Sequence, residues 1–281
     1  MPNRLRLASR WAATLALAIV AFALPREGRA APESQLALSY SIDAGGMTVL
    51  RIHYEAALAP DTYRSSASIK TKGLAGLFSS YKMDMSASGT VSADTAKPAR
   101  FASHAEKKDK ERAIELRWQG GNPPEVKTTP PDPEDEALIA GALTPSLVDP
   151  LSMVLRMTAF QADAPCGKTI AVVDGREVYE LRFALQGKAK IGPDMPGAYR
   201  GPAFKCNLSY VPVAGRAARK FKKAGTAPSR FDIWFAPVSA ATAAQTWYVP
   251  VLATGKLKGL RFTAYASVAT LDGNAIAANE D

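Results

Sequence analysis

Thr169-Ile-Ala-Val-Val-Asp-Gly-Arg-Glu-Val-Tyr-Glu-Leu-Arg-Phe-Ala-Leu-Gln186 is the stretch that decides the fold. Tyr179, Leu181, Phe183 and Leu185 alternate with Glu180, Arg182, Ala184 and Gln186. A period of two marks a half-buried β-strand. Asp174-Gly175 separates this run from the β-rich run before it, and the dipeptide suits a tight hairpin turn. The same alternation recurs through Ile114, Leu116 and Trp118, through Phe231, Ile233 and Phe235, and through Leu260, Phe262, Ala264, Ala266 and Val268. Similar patterns lie near 36–43, 47–58, 61–71, 80–91, 99–107, 203–213 and 247–254. Turn chemistry sits between them at Ala44-Gly45-Gly46, Ala59-Pro60-Asp61 and Gly120-Gly121-Asn122. About a dozen strands joined by short turns predict a mainly β, antiparallel meander. A meander of that length hides its edges by curling into a half-barrel or barrel-like sheet.

One segment breaks the period. Leu151, Val154, Leu155 and Thr158 fall at i, i+3, i+4 and i+7. Asp149 suits the N-cap and Pro150 the first helical position. The spacing predicts a short helix over 149–160 whose apolar stripe the curled sheet packs around. Gly73-Leu-Ala-Gly-Leu-Phe78 reads as a second, shorter helical turn. The Pro-rich, acidic stretch 128–136 reads as a surface loop inside a single domain spanning 31–281, because the strands on either side share one pattern. Arg219 to Lys223 reads as a short solvated basic loop.

The first 30 residues have another character. Arg4, Arg6 and Arg10 precede a run from Trp11 to Leu24 that is apolar except for Thr14. Gly28 and Ala30 are small residues before a cut at Ala31. That layout is expected of a cleavable secretory signal peptide, with the remainder periplasmic and not membrane-spanning. Five of the 35 basic residues and one of the 26 acidic ones lie in this segment, so 30 against 25 remain, a net charge of +5. A mild basic excess suits contact with anionic envelope surfaces and does not argue for nucleic acid.

Two cysteines and two histidines in 281 residues exclude a four-Cys zinc site and a His-rich metal centre. In an oxidising compartment Cys166 and Cys206 are expected to pair; the alternatives are buried free thiols or a redox role, and the latter lacks a Cys-x-x-Cys. His53 and His104 are conceivable general bases, yet neither has metal-ligand spacing. Ser79-Ser-Tyr-Lys82 matches the Ser-x-x-Lys pattern of acyl-enzymes but opens a strand, where that chemistry wants a helical turn. Asp132, Glu134, Asp135 and Glu136 lack the Asp-x-Asp-x-Asp-Gly order of a calcium loop and read as solvated. No Gly-x-Ser-x-Gly, His-Glu-x-x-His, P-loop or Gly-x-Gly-x-x-Gly occurs, so neither catalytic residues nor a cofactor are expected. Trp118, Trp234 and Trp247 supply bulk on strands. Trp118, Tyr179, Phe183 and Phe262, with Leu151 and Leu155 of the helix, are the candidate lining of an apolar hollow between sheet and helix.

The order of motifs from 149 to 260 resembles a known family. Asp149-Pro-Leu-Ser-Met153 is followed by Cys166-Gly167, Val173-Asp-Gly-Arg-Glu-Val-Tyr179, Cys206-Asn-Leu-Ser-Tyr-Val-Pro-Val-Ala-Gly215, Asp232-Ile-Trp-Phe235 and Trp247-Tyr-Val-Pro-Val251. This is similar to the exported bacterial family known as domain of unknown function 3108. The resemblance implies a β-rich periplasmic protein with no established activity, and a recurrent cysteine pair at 166 and 206. Three functions fit these features. The first is a binding module for an apolar ligand such as a lipid or acyl chain. The second is an envelope structural protein with a filled core and a protein partner. The third is an envelope hydrolase built on one of the histidines.

Overall fold

The structure is a computed structural model and describes residues 33–73, 80–92, 94–159, 165–225, 229–239, 246–257 and 259–276. The N-terminal segment 1–30, the expected helical turn at 74–78 and Phe160 lie outside the described residues.

Seven strands follow one another first: β1 (Ser34–Ala44), β2 (Met47–Leu58), β3 (Thr62–Thr71), β4 (Tyr81–Ser92), β5 (Thr95–Lys107), β6 (Lys110–Arg117) and β7 (Glu125–Thr129). Helices α1 (Pro133–Ala140) and α2 (Pro150–Thr158) come next. A second run holds β8 (Thr169–Val173), β9 (Val178–Ile191), β10 (Gly201–Ala214), helix α3 (Arg216–Ala224), β11 (Ser229–Ser239), β12 (Thr246–Leu257), β13 (Leu260–Leu271) and the two-residue β14 (Asn274–Ala275). Each run is a meander. The first and last long strands join them, β1 pairing antiparallel with β13 from Leu36 opposite Leu271 to Ala44 opposite Phe262. One antiparallel sheet results, in the order β7-β6-β5-β4-β3-β2-β1-β13-β12-β11-β10-β9-β8.

The sheet curls without closing. Register shifts at Ser39/Tyr40, Ile42/Asp43, Ser88/Gly89 and Trp234/Phe235 add local twist where the concave face must bend. The chain between the two edges covers the β8 edge. Val148 bridges Val172 of β8 in parallel, with Val148 N–H donating to Ala171 O at 3.1 Å and Val173 N–H to Val148 O at 2.9 Å. The β8–β9 turn reaches the first meander: Gly175 has φ +91°, and a Cβ there would stand 2.4 Å from Ile114 Cγ2 of β6. Only glycine meets both demands. Its turn is the expected Asp-Gly hairpin, with Asp174 Oδ1 accepting from the amides of Arg176 and Glu177 at 2.9 and 2.8 Å.

Two segments expected to be loops are helical. The acidic stretch at 128–136 contains the end of β7 and the start of α1, where Pro133 takes a first-turn position and Asp132 accepts from Asp135 N–H at 3.2 Å. The basic run 219–223 lies in α3, which Gly225 closes in the left-handed conformation. Asp135, also expected to be solvated, is buried, with Arg176 Nε on one oxygen at 2.7 Å and Arg216 Nε on the other. Burial pushes its carboxyl up, but Arg216 and Arg176 outweigh that and hold it below the usual carboxylate range. This cluster ties α1, α3 and the β8–β9 turn together across the open seam.

A meander alternates its turns between two rims. One rim carries the β1–β2, β3–β4, β5–β6, β8–β9 and β12–β13 turns and the α3 connection. The opposite rim carries the β2–β3, β4–β5, β6–β7, β9–β10 and β11–β12 connections.

Candidate functional site: an apolar pocket beside helix α2

Helix α2 lies against the concave face because its first turn is anchored by polar groups. Asp149 accepts at Oδ1 from the amides of Leu151 and Ser152, both at 2.9 Å, and at Oδ2 from the Ser152 hydroxyl. Ser152 Oγ also meets the Tyr63 hydroxyl of β3. Arg156 Nε donates to Ala96 O of β5 at 2.7 Å. Asp149 and Ser152 are fully buried. Burial raises the Asp149 carboxyl above its usual range, and the Ser152 hydroxyl and backbone amides offset part of that.

Beside the anchored helix the packing is incomplete. A pocket of about 300 Å³ lies between α2 and the sheet. The helix contributes Pro150, Leu151, Met153, Val154 and Met157. The sheet contributes Tyr40, Ile52, Tyr54, Ile69 and Met85 from the first meander with β1, and Ile233, Pro250 and Leu252 from the second. Three inward alanines, Ala67, Ala253 and Ala264, leave the room. Among the described residues, the only polar side-chain atoms on this wall are two phenol oxygens, and both are satisfied within it. Tyr40 donates to Pro250 O at 2.7 Å and Tyr54 to Leu151 O at 3.4 Å. Burial raises both phenols well above their usual range, so they stay neutral. The pocket therefore presents carbon to whatever occupies it.

Exposure shows which way it opens. Tyr54, Ala67, Leu151 and Leu252, at its inner end, are buried. Ile52, Ile69, Met85, Ala253 and Ala264, each nearer the rim with the β1–β2 and β12–β13 turns, are half-buried. Beyond Ala264 on the same strand, Phe262 packs on Phe231 at 5.5 Å over Gly255, where a Cβ would stand 2.5 Å from the Phe231 ring.

Of the six residues expected to line a hollow, Leu151 alone borders this pocket. Leu155 is buried on another side of the helix. Trp118 is half-buried and donates its indole N–H to Leu147 O at 3.1 Å, pinning the chain just before α2. Tyr179 and Phe183 belong to a filled cluster, against Tyr210 at 5.0 Å and Phe235 at 6.2 Å. Phe262 stands outside the pocket, toward the rim. Sequence reasoning favoured aromatic residues and passed over Tyr40, Ile52, Ile69, Met85 and the three alanines. The available signal was the alanines, small residues at inward positions of strands.

The filled cluster holds the expected disulfide. Cys166 and Cys206 are bonded, with Cα atoms 6.1 Å apart. Cys206 is fully buried among Ile170, Val172, Phe183 and Phe235. Lys168, near Cys166, donates to Arg156 O at 3.0 Å. Burial, with the charge of Arg156 adding to it, lowers its ammonium to about 8.

The histidines lie on the outer, convex face. His53 joins Ser39 Oγ at 2.9 Å through Nδ1 and Glu55 Oε1 at 3.0 Å through Nε2. These are the residue types of a proton relay, but the His53 and Glu55 side chains are 51% and 59% exposed on an open strand surface, where water screens the charges. His104 is exposed beside Glu106 at 3.5 Å. Ser79 lies outside the described residues, and Lys82 pairs with Asp84 at 2.7 Å. Among the described residues no cluster of His, Cys, Asp or Glu is placed to hold a metal ion, and no helix is long and apolar enough to cross a membrane.

No curated protein matches the chain. A solved structure from Brucella abortus, a β-barrel-like protein of domain of unknown function DUF1849, aligns with 87% of this chain and 98% of its own at 11% identity and a TM-score of 0.42. The profile of the family described as "Protein of unknown function (DUF3108)" matches residues 39–258. The chain, over most of its length, therefore belongs to the DUF3108 family.

Proposed function

We propose that this protein is a non-enzymatic, exported binding module that shelters an apolar ligand, an acyl chain or a lipid tail, between its curled sheet and α2. The observation that carries the reading is the carbon-lined pocket of about 300 Å³. That volume is at the lower end of the roughly 300–1,000 Å³ of ligand sites. Both phenols are bonded into the wall, so among the described residues no polar side chain is left to demand a polar ligand. Met85, Met153 and Met157 give the lining side chains that adapt to chains of differing length. The signal-like start and the disulfide support an oxidising compartment.

Native mass spectrometry of protein purified from the periplasm tests the reading. A bound mass in the range of a fatty acid or phospholipid, released by organic solvent, is expected. Ligand-free protein that also fails to take up added fatty acid contradicts it.

A further inference from the structure

The two rims differ in charge. At the rim farther from the pocket mouth, the turns carry Asp61, Asp94, Asp194 and Asp272, interleaved with Lys97, Lys188, Lys190 and Arg200, so the two signs are mixed there. At the rim toward which the pocket opens, exposed basic side chains stand at several turns, beside Asp43, Asp174, Glu177 and the acidic residues of α1. Lys107, Lys108 and Lys110 surround the β5–β6 turn, Lys220, Lys222 and Lys223 line α3, Lys256 and Arg261 flank the β12–β13 turn, and Lys72 follows β3. All nine are exposed, and none makes an ion pair among the described residues. Asp109 and Glu111 are the acids among the β5–β6 lysines. The arginines of α3 are already engaged: Arg216 and Arg219 pair with the acidic residues of α1.

The same rim exposes large apolar side chains. Met47, at the β1–β2 turn, is 50% exposed, and Leu260, at the β12–β13 turn, is 56% exposed. These turns are neighbours, because β1 pairs with β13 and Ala44 stands opposite Phe262. Two apolar prongs on a rim that carries nine unpaired cations match the boundary layer of an anionic bilayer, where apolar groups enter the headgroup region and each cation meets a negative surface.

We infer that this rim docks on the surface of an anionic phospholipid membrane, with the pocket mouth facing the lipid. The inference deepens the proposed function by naming the membrane as source or destination of the ligand. It stands on charge and exposure at the rim, which the pocket does not determine.

Flotation of the purified protein with vesicles of phosphatidylcholine, with and without about one-third phosphatidylglycerol, tests it. Binding is expected to the phosphatidylglycerol vesicles and to weaken as salt rises. Each lysine near a charged surface is worth roughly fivefold in partitioning, so Lys108→Gln/Lys222→Gln/Lys256→Gln should weaken binding about a hundredfold. Lys97→Gln/Lys188→Gln/Lys190→Gln, at the far rim, should leave it within about twofold. A filled pocket, Ala264→Leu, should abolish fatty-acid uptake and leave flotation intact, so the two proposals fail separately. No flotation with phosphatidylglycerol, equal flotation with phosphatidylcholine alone, or equal loss in both lysine triples overturns the inference. Capture of a protein partner through this rim without vesicle binding overturns it as well.

Discussion

Helix α2 has a filled side and an open side. Toward β8–β12 it meets Phe183, Phe235, Tyr248 and the buried half of the disulfide, and Met157 completes that packing. Toward β1–β4 and β13 it meets Ala67, Ala264, Ile52 and Ile69, and a gap remains. Met157 and Ile233 are the partition, since each belongs to the filled cluster and to the pocket wall. The sheet curls on both sides of the helix. The size of the inward side chains decides whether the space is packed: facing rings fill one side, while on the other Ala67, Ala253 and Ala264 leave a gap between larger neighbours. A cavity of this size forgoes dispersion contacts and is destabilising unless something occupies it.

Truncation on the two sides should break the symmetry most clearly. Phe183→Ala, on the filled side, is expected to lower the unfolding free energy by about 4 kcal/mol. Ile52→Ala, half-buried at the pocket mouth, should cost about 1 kcal/mol, because little packing is lost there. Urea titrations compare them; equal costs would mean that the gap is not real. Reduction of the Cys166–Cys206 bond, which closes a loop over a separation of 40 residues, should cost up to about 4 kcal/mol in the chain-entropy model while leaving ligand affinity unchanged in the folded protein. Asp149→Ala unties α2 from both sides at once. It removes a cap and leaves buried donors unpaired, so a loss of about 3 kcal/mol together with weaker ligand binding is expected.

A smaller effect comes from pH. Lys168 holds a proton less tightly in the folded chain, near 8, than an ordinary lysine does. The unfolded chain therefore binds more protons between about pH 8 and the ordinary lysine range near 10.5, and this group makes stability rise with pH across that window. Lys168→Met should remove that contribution to the slope, read as the urea midpoint at pH 7.5, 8.5 and 9.5. An unchanged slope would show that Lys168 is solvated like any surface lysine.

The strands and α2 were legible because each carries its period in consecutive residues, as in Tyr179 to Leu185 or Leu151 to Thr158. The hairpin at Asp174-Gly175 was legible from its turn chemistry, and the disulfide from the count of cysteines. Helix α1 was not. Its prolines and acids resemble a loop, and what holds it, the pairing of Asp135 with Arg176 and Arg216, joins residues 41 and 81 positions apart. Helix α3 hid for a similar reason, since one small residue, Ala218, is its only fully buried contact. The pocket was the least legible feature. Alternation says that Ala253, Ala264 and Ala67 face inward. That they border one gap follows from the register of strands far apart in the chain and from the position of α2. Of the aromatic residues expected to mark a hollow, Tyr179 and Phe183 are here the filling of the other side.

The most direct test is a fluorescence titration with cis-parinaric acid, comparing the unmodified protein with Ala253→Leu and Ala264→Leu. The account predicts saturable binding of one probe per chain, weakened at least tenfold by either leucine with the unfolding midpoint unchanged or raised. Absence of saturable binding, or equal affinity in all three proteins, would contradict a ligand pocket beside α2.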